Sequence, residues 1–239
     1  MSTAERWRPV SRRELLRRIG GATAAGAVPA VLFRKAGAAP LVAPGQAAAA
    51  ADAGAFETLT AAEADLLEAL AARLIPSDET GPGATEARAA RYIDRALGGA
   101  LGDSREAYRS GLAAVDRYAR ASRGAPFAQL TEADQDAVIG DLERNVATGF
   151  TPSSATFFGL VLAHVIQGTF CDPYYGGNAA FVGWDLLGYP GVRLGVGDAE
   201  QRLDATPVPA RMSAYDYAMF SGRRPARAGA DRRGPVHGD

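Results

Sequence analysis

One cysteine, two histidines and a single lysine in 239 residues leave this chain short of the side chains from which most metal and catalytic sites are built. Cys171 stands alone, so no disulfide closes within the chain, and three His and Cys residues in total cannot fill an all-His/Cys zinc site. His237 lies in an Arg-, Gly- and Pro-rich tail, which leaves His164 as the one histidine inside the body of the sequence. No apolar run approaches the roughly 20 residues a membrane-spanning helix needs. There is no Gly-x-Gly-x-x-Gly after a strand, no Walker loop and no nucleophile elbow. Nucleotide phosphates and Ser-based acyl transfer therefore have no recognisable seat here. Convincing strand pairs are missing as well.

What is present begins with charge placed unevenly. The chain carries 26 basic and 27 acidic residues, but residues 1–38 hold eight basic against two acidic, and residues 221–239 hold five arginines against two aspartates. The remaining body, residues 39–220, has 13 basic and 23 acidic residues, a balance that argues against a nucleic-acid partner. The basic start has a recognisable form. Ser11-Arg12-Arg13-Glu14-Leu15-Leu16 precedes a short Ala/Gly-rich apolar run from Ile19 to Phe33, then Arg34-Lys35 and the small-residue site Ala36-Gly37-Ala38. A basic region, a short apolar region and an A-x-A site make a secretory signal peptide, and the paired Arg12 and Arg13 make it a twin-arginine one. That route carries folded proteins, so the expected location is the periplasm or the outer face of a bacterial inner membrane. The expected divisions are a leader over 1–38, a flexible linker over 39–54, a helical domain over 55–220 and a disordered Arg-rich tail over 221–239.

The domain reads as all-α: an irregular helical bundle with a central apolar helix and an extended C-terminal segment. Thr60 and Glu63 form a capping box before Leu66, Leu67, Leu70 and Leu74, and Pro76 stops that helix. A second helix is expected from about Ala84 to Leu97, with Ala89, Tyr92, Ile93 and Leu97 inward. A third opens at Asp103 or Ser104 and ends before Gly124. Thr131 and Asp134 open a fourth, with Val138, Ile139 and Leu142 as its apolar side. Thr151-Pro152-Ser153-Ser154 opens the most apolar segment, Phe157 to Phe170, whose polar residues before Thr169 are His164 and Gln167. A short helix is expected over Ala179–Leu187, and irregular extended chain from Val192 to Phe220.

Candidate chemistry is sparse. Glu63, Asp65 and Glu68 sit where carboxylates commonly favour a helix start. The Glu-x-x-His pattern of di-iron bundles is missing. His164 and Gln167 share a helix face at i and i+3, yet a lone histidine in an apolar helix more often serves as a hydrogen-bonded core residue. The cluster that stands out is Asp172-Pro173-Tyr174-Tyr175-Gly176-Gly177-Asn178, followed by Trp184 and Tyr189. Rigid turns bearing aromatics of mixed polarity suit a binding surface, and they equally suit closure of the bundle's end. Cys171 beside them has three options: a buried thiol, a bridge to another chain, or a ligand shared with one.

Leu74-Ile75-Pro76-Ser77-Asp78-Glu79-Thr80-Gly81-Pro82-Gly83-Ala84, His164-Val165-Ile166-Gln167-Gly168, the Asp172–Asn178 loop, Trp184 and Gly188-Tyr189-Pro190-Gly191 together resemble the gluconate 2-dehydrogenase subunit 3 family, in the same order, from about Leu59 to Pro190. The resemblance implies a small non-catalytic subunit of a dehydrogenase that oxidises a sugar, sugar acid or glycoside. It implies a large flavoprotein partner of the glucose–methanol–choline type that carries FAD, often a cytochrome c subunit with haem c, and passage through the twin-arginine translocase on a shared signal. No cofactor is implied in this chain, and no catalytic residues carry over. The partner interface is then expected at Asp172, Pro173, Tyr174, Tyr175, Gly176, Gly177, Asn178, Trp184 and Tyr189, with an intersubunit disulfide from Cys171 as an option. The rival readings are a self-sufficient secreted enzyme using His164 with a carboxylate, and a stand-alone periplasmic binding protein.

Overall fold

The computed structural model of the chain describes residues 55–205 and 208–220. The leader (1–38), linker (39–54) and tail (221–239) of the sequence reading lie outside the described residues. Six α-helices make up the body, and no strand occurs among the described residues. They are α1 (Ala61–Leu74), α2 (Ala89–Leu97), α3 (Arg105–Arg123), α4 (Glu132–Glu143), α5 (Ser154–Phe170) and α6 (Val182–Leu187).

Local signals in the sequence place half of the helix starts. Thr60 caps α1 with the full capping box, Thr131 accepts from the Asp134 amide at α4, and Ser153 accepts from the Thr156 amide at α5. Gly124, in the left-handed region at φ 82°, closes α3. Leu66, Leu67 and Leu70 of α1 then bury against Ile93 and Leu97 of α2, Leu112 and Val115 of α3, and Val138 and Leu142 of α4. Burying a side chain of this size contributes about 1.5–3 kcal/mol.

Two expected helices are shorter than their patterns suggest. Residues 84–88 form turns, and Arg88 at φ 57° breaks any continuation into α2, so that helix starts at Ala89. Over Ala179–Leu187 a 3-10 turn at Ala179–Phe181 precedes α6, because Ala180 (φ 52°) and Phe181 (φ 63°) both adopt left-handed backbone.

The apolar helix α5 lies against α2 and α4 and also touches α1, α3 and α6. Its buried side comprises Ser154, Phe157, Val161, His164, Val165, Gly168 and Thr169. Gly159, Ala163 and Gln167 on the opposite side stand exposed.

Two buried polar ties hold the helices in register. Arg73 of α1 grips Asp136 of α4 through Nε to Oδ1 at 2.7 Å and Nη2 to Oδ2 at 2.6 Å, and its Nη1 meets Glu132 at 2.8 Å. Asp94 of α2 is fully buried, and its carboxylate accepts three consecutive backbone amides, from Glu57 (2.7 Å), Thr58 (2.9 Å) and Leu59 (2.8 Å). Arg91, one turn earlier, donates to the Ala55 carbonyl at 2.8 Å and lies over the Phe56 ring. The segment entering α1 is thereby fixed to α2.

Candidate functional site

The C-terminal end of α5 carries the loop that the sequence singles out. Asp172 caps a 3-10 turn at Pro173–Tyr175, accepting from the Tyr174 amide at 2.9 Å. The same carboxylate reaches across the fold: it accepts from the Ser213 hydroxyl at 2.6 Å and from the Ala214 amide at 2.8 Å. One side chain thus shapes the loop and anchors the later chain at Ser213 and Ala214 to it.

Asn178 is the second organising residue. It is fully buried, in left-handed conformation at φ 44°, where asparagine is tolerated better than most residues. Its amide nitrogen Nδ2 donates to the Cys171 carbonyl at 2.8 Å, while Oδ1 accepts from the Gly183 amide at 2.8 Å. Its backbone N–H donates to the Gly168 carbonyl at 2.8 Å. The end of α5 and the start of α6 are joined through this one side chain. Two glycines make the joint possible, since a Cβ on Gly177 would sit 2.1 Å from the Gly168 carbonyl oxygen and one on Gly183 would sit 1.9 Å from that of Thr169. No larger residue fits without moving backbone.

The aromatics divide into two groups. Trp184 is only 6% exposed; its Nε1 donates to the Phe170 carbonyl at 2.9 Å, and Phe181 and Tyr189 pack on it with centroids at 5.4 and 4.8 Å. The other group is Tyr174, Tyr175 and Tyr215. Tyr174 stacks on Tyr215 at 3.6 Å, and the Tyr175 and Tyr215 hydroxyls lie 2.7 Å apart. The hydrogen bond with Tyr215, followed by burial, raises the pKa of Tyr175 above that of an ordinary phenol, so it stays neutral. Tyr175 and Tyr189 remain 46% and 42% exposed and form the outward edges of the two groups. Tyr215 and Ser213 were not singled out by the sequence. They come from a segment with no periodic pattern, Ser213 lying 41 residues beyond Asp172 and Tyr215 40 residues beyond Tyr175.

Cys171 ends α5 in a half-buried position, with Sγ 3.7 Å from the Gly168 carbonyl oxygen. Burial pushes its thiol up to about 12, far from thiolate formation at neutral pH.

His164 lies elsewhere, inside the bundle. It is buried, its Nδ1 is 3.0 Å from the Tyr108 hydroxyl, and the two rings are nearly parallel. Burial lowers its pKa, so the imidazole is neutral. Gln167 points away to the surface and pairs with the Tyr92 hydroxyl at 3.2 Å. The two residues do not share a site. Glu63 is taken up by the α1 capping box, and Asp65 and Glu68 are exposed on the same helix.

No curated protein and no solved structure matches the chain. Among protein families, residues 61–191 match the one described as gluconate 2-dehydrogenase subunit 3. The matched stretch runs from the first residue of α1 through the Asp172–Asn178 loop, Trp184 and the turn at Gly188–Gly191, which is more than half of the sequence. By that match the chain belongs to the gluconate 2-dehydrogenase subunit 3 family.

Proposed function

We propose that this protein is a non-catalytic accessory subunit of a gluconate 2-dehydrogenase-like complex, and that it binds, escorts and helps mature a larger flavoprotein subunit. The observation that carries the reading is the family match across all six helices and the aromatic loop. The disposition of the polar groups supports it. His164 is engaged by Tyr108 in the core rather than by a carboxylate, and Asp172 and Asn178 are consumed in bracing their own loop. On this reading the redox chemistry belongs to the partners. FAD sits in a large subunit of the glucose–methanol–choline type, which oxidises a sugar, sugar acid or glycoside, and a cytochrome c subunit with haem c takes the electrons onward. The Arg12-Arg13 leader exports this chain and its flavoprotein together through the twin-arginine translocase to the periplasmic side of the membrane.

The rim of Tyr175 and Tyr189, with Asp172, Pro173, Tyr174 and Gly176 beside it, is the surface we assign to the flavoprotein; Gly177, Asn178 and Trp184, expected at the interface from the sequence, are buried beneath it and brace it instead. Tyrosine is favoured at such positions because it offers large area with little rotamer entropy to lose. Two experiments test the proposal. Changing Arg12-Arg13 to Lys-Lys is expected to hold both chains in the cytoplasm, and normal periplasmic levels of the flavoprotein would remove the escort role. Tyr175→Ala is expected to reduce co-purification of the flavoprotein at unchanged helical content, and unimpaired assembly would move the interface elsewhere. Acceptor-linked oxidation by this purified chain alone would favour a self-sufficient enzyme instead.

A further inference from the structure

We propose that residues 210–217 form a strap that opens as a unit without unfolding the helices, and that Asp172 is its latch. Among the described residues, the hydrophobic core of the bundle takes no member after Phe170, so the strap has no share in it. Within the strap only Ser213 is buried; the other seven residues are half-buried or exposed. A segment with few buried apolar contacts and with hydrogen bonds near solvent opens at a far lower free energy than core helices do.

Each side of the contact is complete in itself. The loop turn Pro173–Tyr175 is capped by Asp172 through the Tyr174 amide. The strap turn Ala214–Asp216 is capped by Ser213, whose Oγ accepts from the Tyr215 amide at 3.0 Å and whose own amide donates to Asp216 at 2.8 Å. Neither turn depends on the other for its internal hydrogen bonds.

What joins them is a short set of contacts. Asp172 Oδ1, besides holding the Tyr174 amide, accepts from the Ser213 hydroxyl, and Oδ2 accepts from the Ala214 amide. The Tyr215 ring lies on Tyr174, with its hydroxyl beside that of Tyr175. Further along, the Ala210 amide donates to the Pro190 carbonyl at 2.7 Å, the Val192 amide to the Met212 carbonyl at 3.3 Å, and the Tyr217 hydroxyl to the Val192 carbonyl at 2.8 Å. Arg211 pairs with Asp185 of α6 at 2.7 Å. Water can take over most of these bonds once the strap lifts, so its departure costs little beyond the loss of the stacked tyrosines and the latch. Asp172 then still caps the Tyr174 amide, and the loop keeps its shape while the face of the Tyr174 ring is uncovered. This end of the molecule therefore has a covered and an uncovered state built from the same two turns.

The test is residue-resolved native-state hydrogen exchange on the full-length chain at low urea concentrations. The Val192, Ala210 and Ala214 amides are expected to be protected, to exchange at least about a hundredfold faster than the Val165 amide of α5, and to show a much shallower urea dependence. Asp172→Asn keeps an oxygen for the Tyr174 amide and the Ser213 hydroxyl and turns its amide group toward the Ala214 N–H. It is expected to speed exchange at Val192 and Ala210, which Asp172 does not touch, by about tenfold with the melting temperature unchanged. Tyr215→Ala, which alters neither cap, is expected to do the same. Exchange of the three amides only with global unfolding, or with no protection at all, overturns the strap. Acceleration confined to Ala214 in Asp172→Asn shows separate bonds rather than a latched unit, and a fall in melting temperature in both variants shows that the segment belongs to the bundle; either result overturns the proposal.

Discussion

Asp94→Ala removes one carboxylate and strands three backbone donors, and the structure allows the cost to be apportioned. The Oδ1 atom accepts from Thr58 and Leu59, and Oδ2 accepts from Glu57. Hydrogen bonds to a charged acceptor contribute about 1.5–3 kcal/mol each when they cannot be replaced. Glu57 is exposed and Thr58 half-buried, so water recovers part of their loss, whereas the Leu59 amide lies in the buried core. We therefore expect a destabilisation of about 3–5 kcal/mol, below the sum of three full bonds. For a domain of this size that is about 10 °C in Tm. Asp94→Asn gives a sharper comparison. With its oxygen placed at Oδ1, it keeps the Thr58 and Leu59 bonds and turns an amide donor toward the Glu57 N–H, which costs about 1–2 kcal/mol. Thermal melts by circular dichroism give the two values, and hydrogen exchange at residues 57–59 reports whether the loss is local. The reasoning fails if alanine costs less than asparagine, or if alanine moves Tm by no more than a degree or two.

Gly183→Ala drives a Cβ into the Thr169 carbonyl, so we expect a loss of about 3 kcal/mol in urea unfolding, against a gain of about 0.5–1 kcal/mol for Gly159→Ala at the open, helical Gly159 position. The pKa of His164 is lowered by burial below its ordinary 6.5, so the unfolded chain takes up the proton first. Its contribution is complete above pH 6.5 and drains as the pH falls below it; His164→Gln should flatten the stability slope between pH 7 and 5 by up to about 1.4 kcal/mol per pH unit, and an unchanged slope refutes this. Cys171 in the isolated subunit should alkylate slowly at neutral pH and rapidly in denaturant, since burial pushes its thiol up to about 12. Rapid reaction of the folded chain counts against that environment, and a reductant-sensitive band of summed mass that Cys171→Ser abolishes in the complex would show an intersubunit bridge.

Features set by a few neighbouring residues were legible in the sequence. The caps at Thr60, Thr131 and Ser153 are local hydrogen-bonding choices, and the apolar spacing of α1, α3 and α4 follows one period each. His164 also behaves as its surroundings suggested. The breaks at Arg88, Ala180 and Phe181 were not legible, because helix-compatible residues hold left-handed backbone there and only tertiary packing imposes it. Asp94 reads as a solvent-facing helix residue until the chain before α1 folds back over it. The Asp172–Ser213 and Tyr175–Tyr215 pairings join segments about 40 residues apart, and nothing in an aperiodic stretch announces such partners. The loop's composition was visible, and its division into a packed tryptophan group and a tyrosine rim was not.

The apolar character of α5 bears on what the chain would expose before it folds. The helix has 17 residues, about 25 Å of rise, and carries no charged side chain. That is short of the roughly 30 Å of a bilayer's hydrocarbon, and no helix among the described residues is long and apolar enough to cross a membrane. A chain threaded as an extended polypeptide past lipid would nonetheless present this segment bare, with Phe157, Val161 and Val165 free to partition into the interface. Once Phe157 is seated against Tyr108 and His164 is bonded to that same ring's hydroxyl, those groups are withdrawn. Folding keeps the segment out of a bilayer's reach.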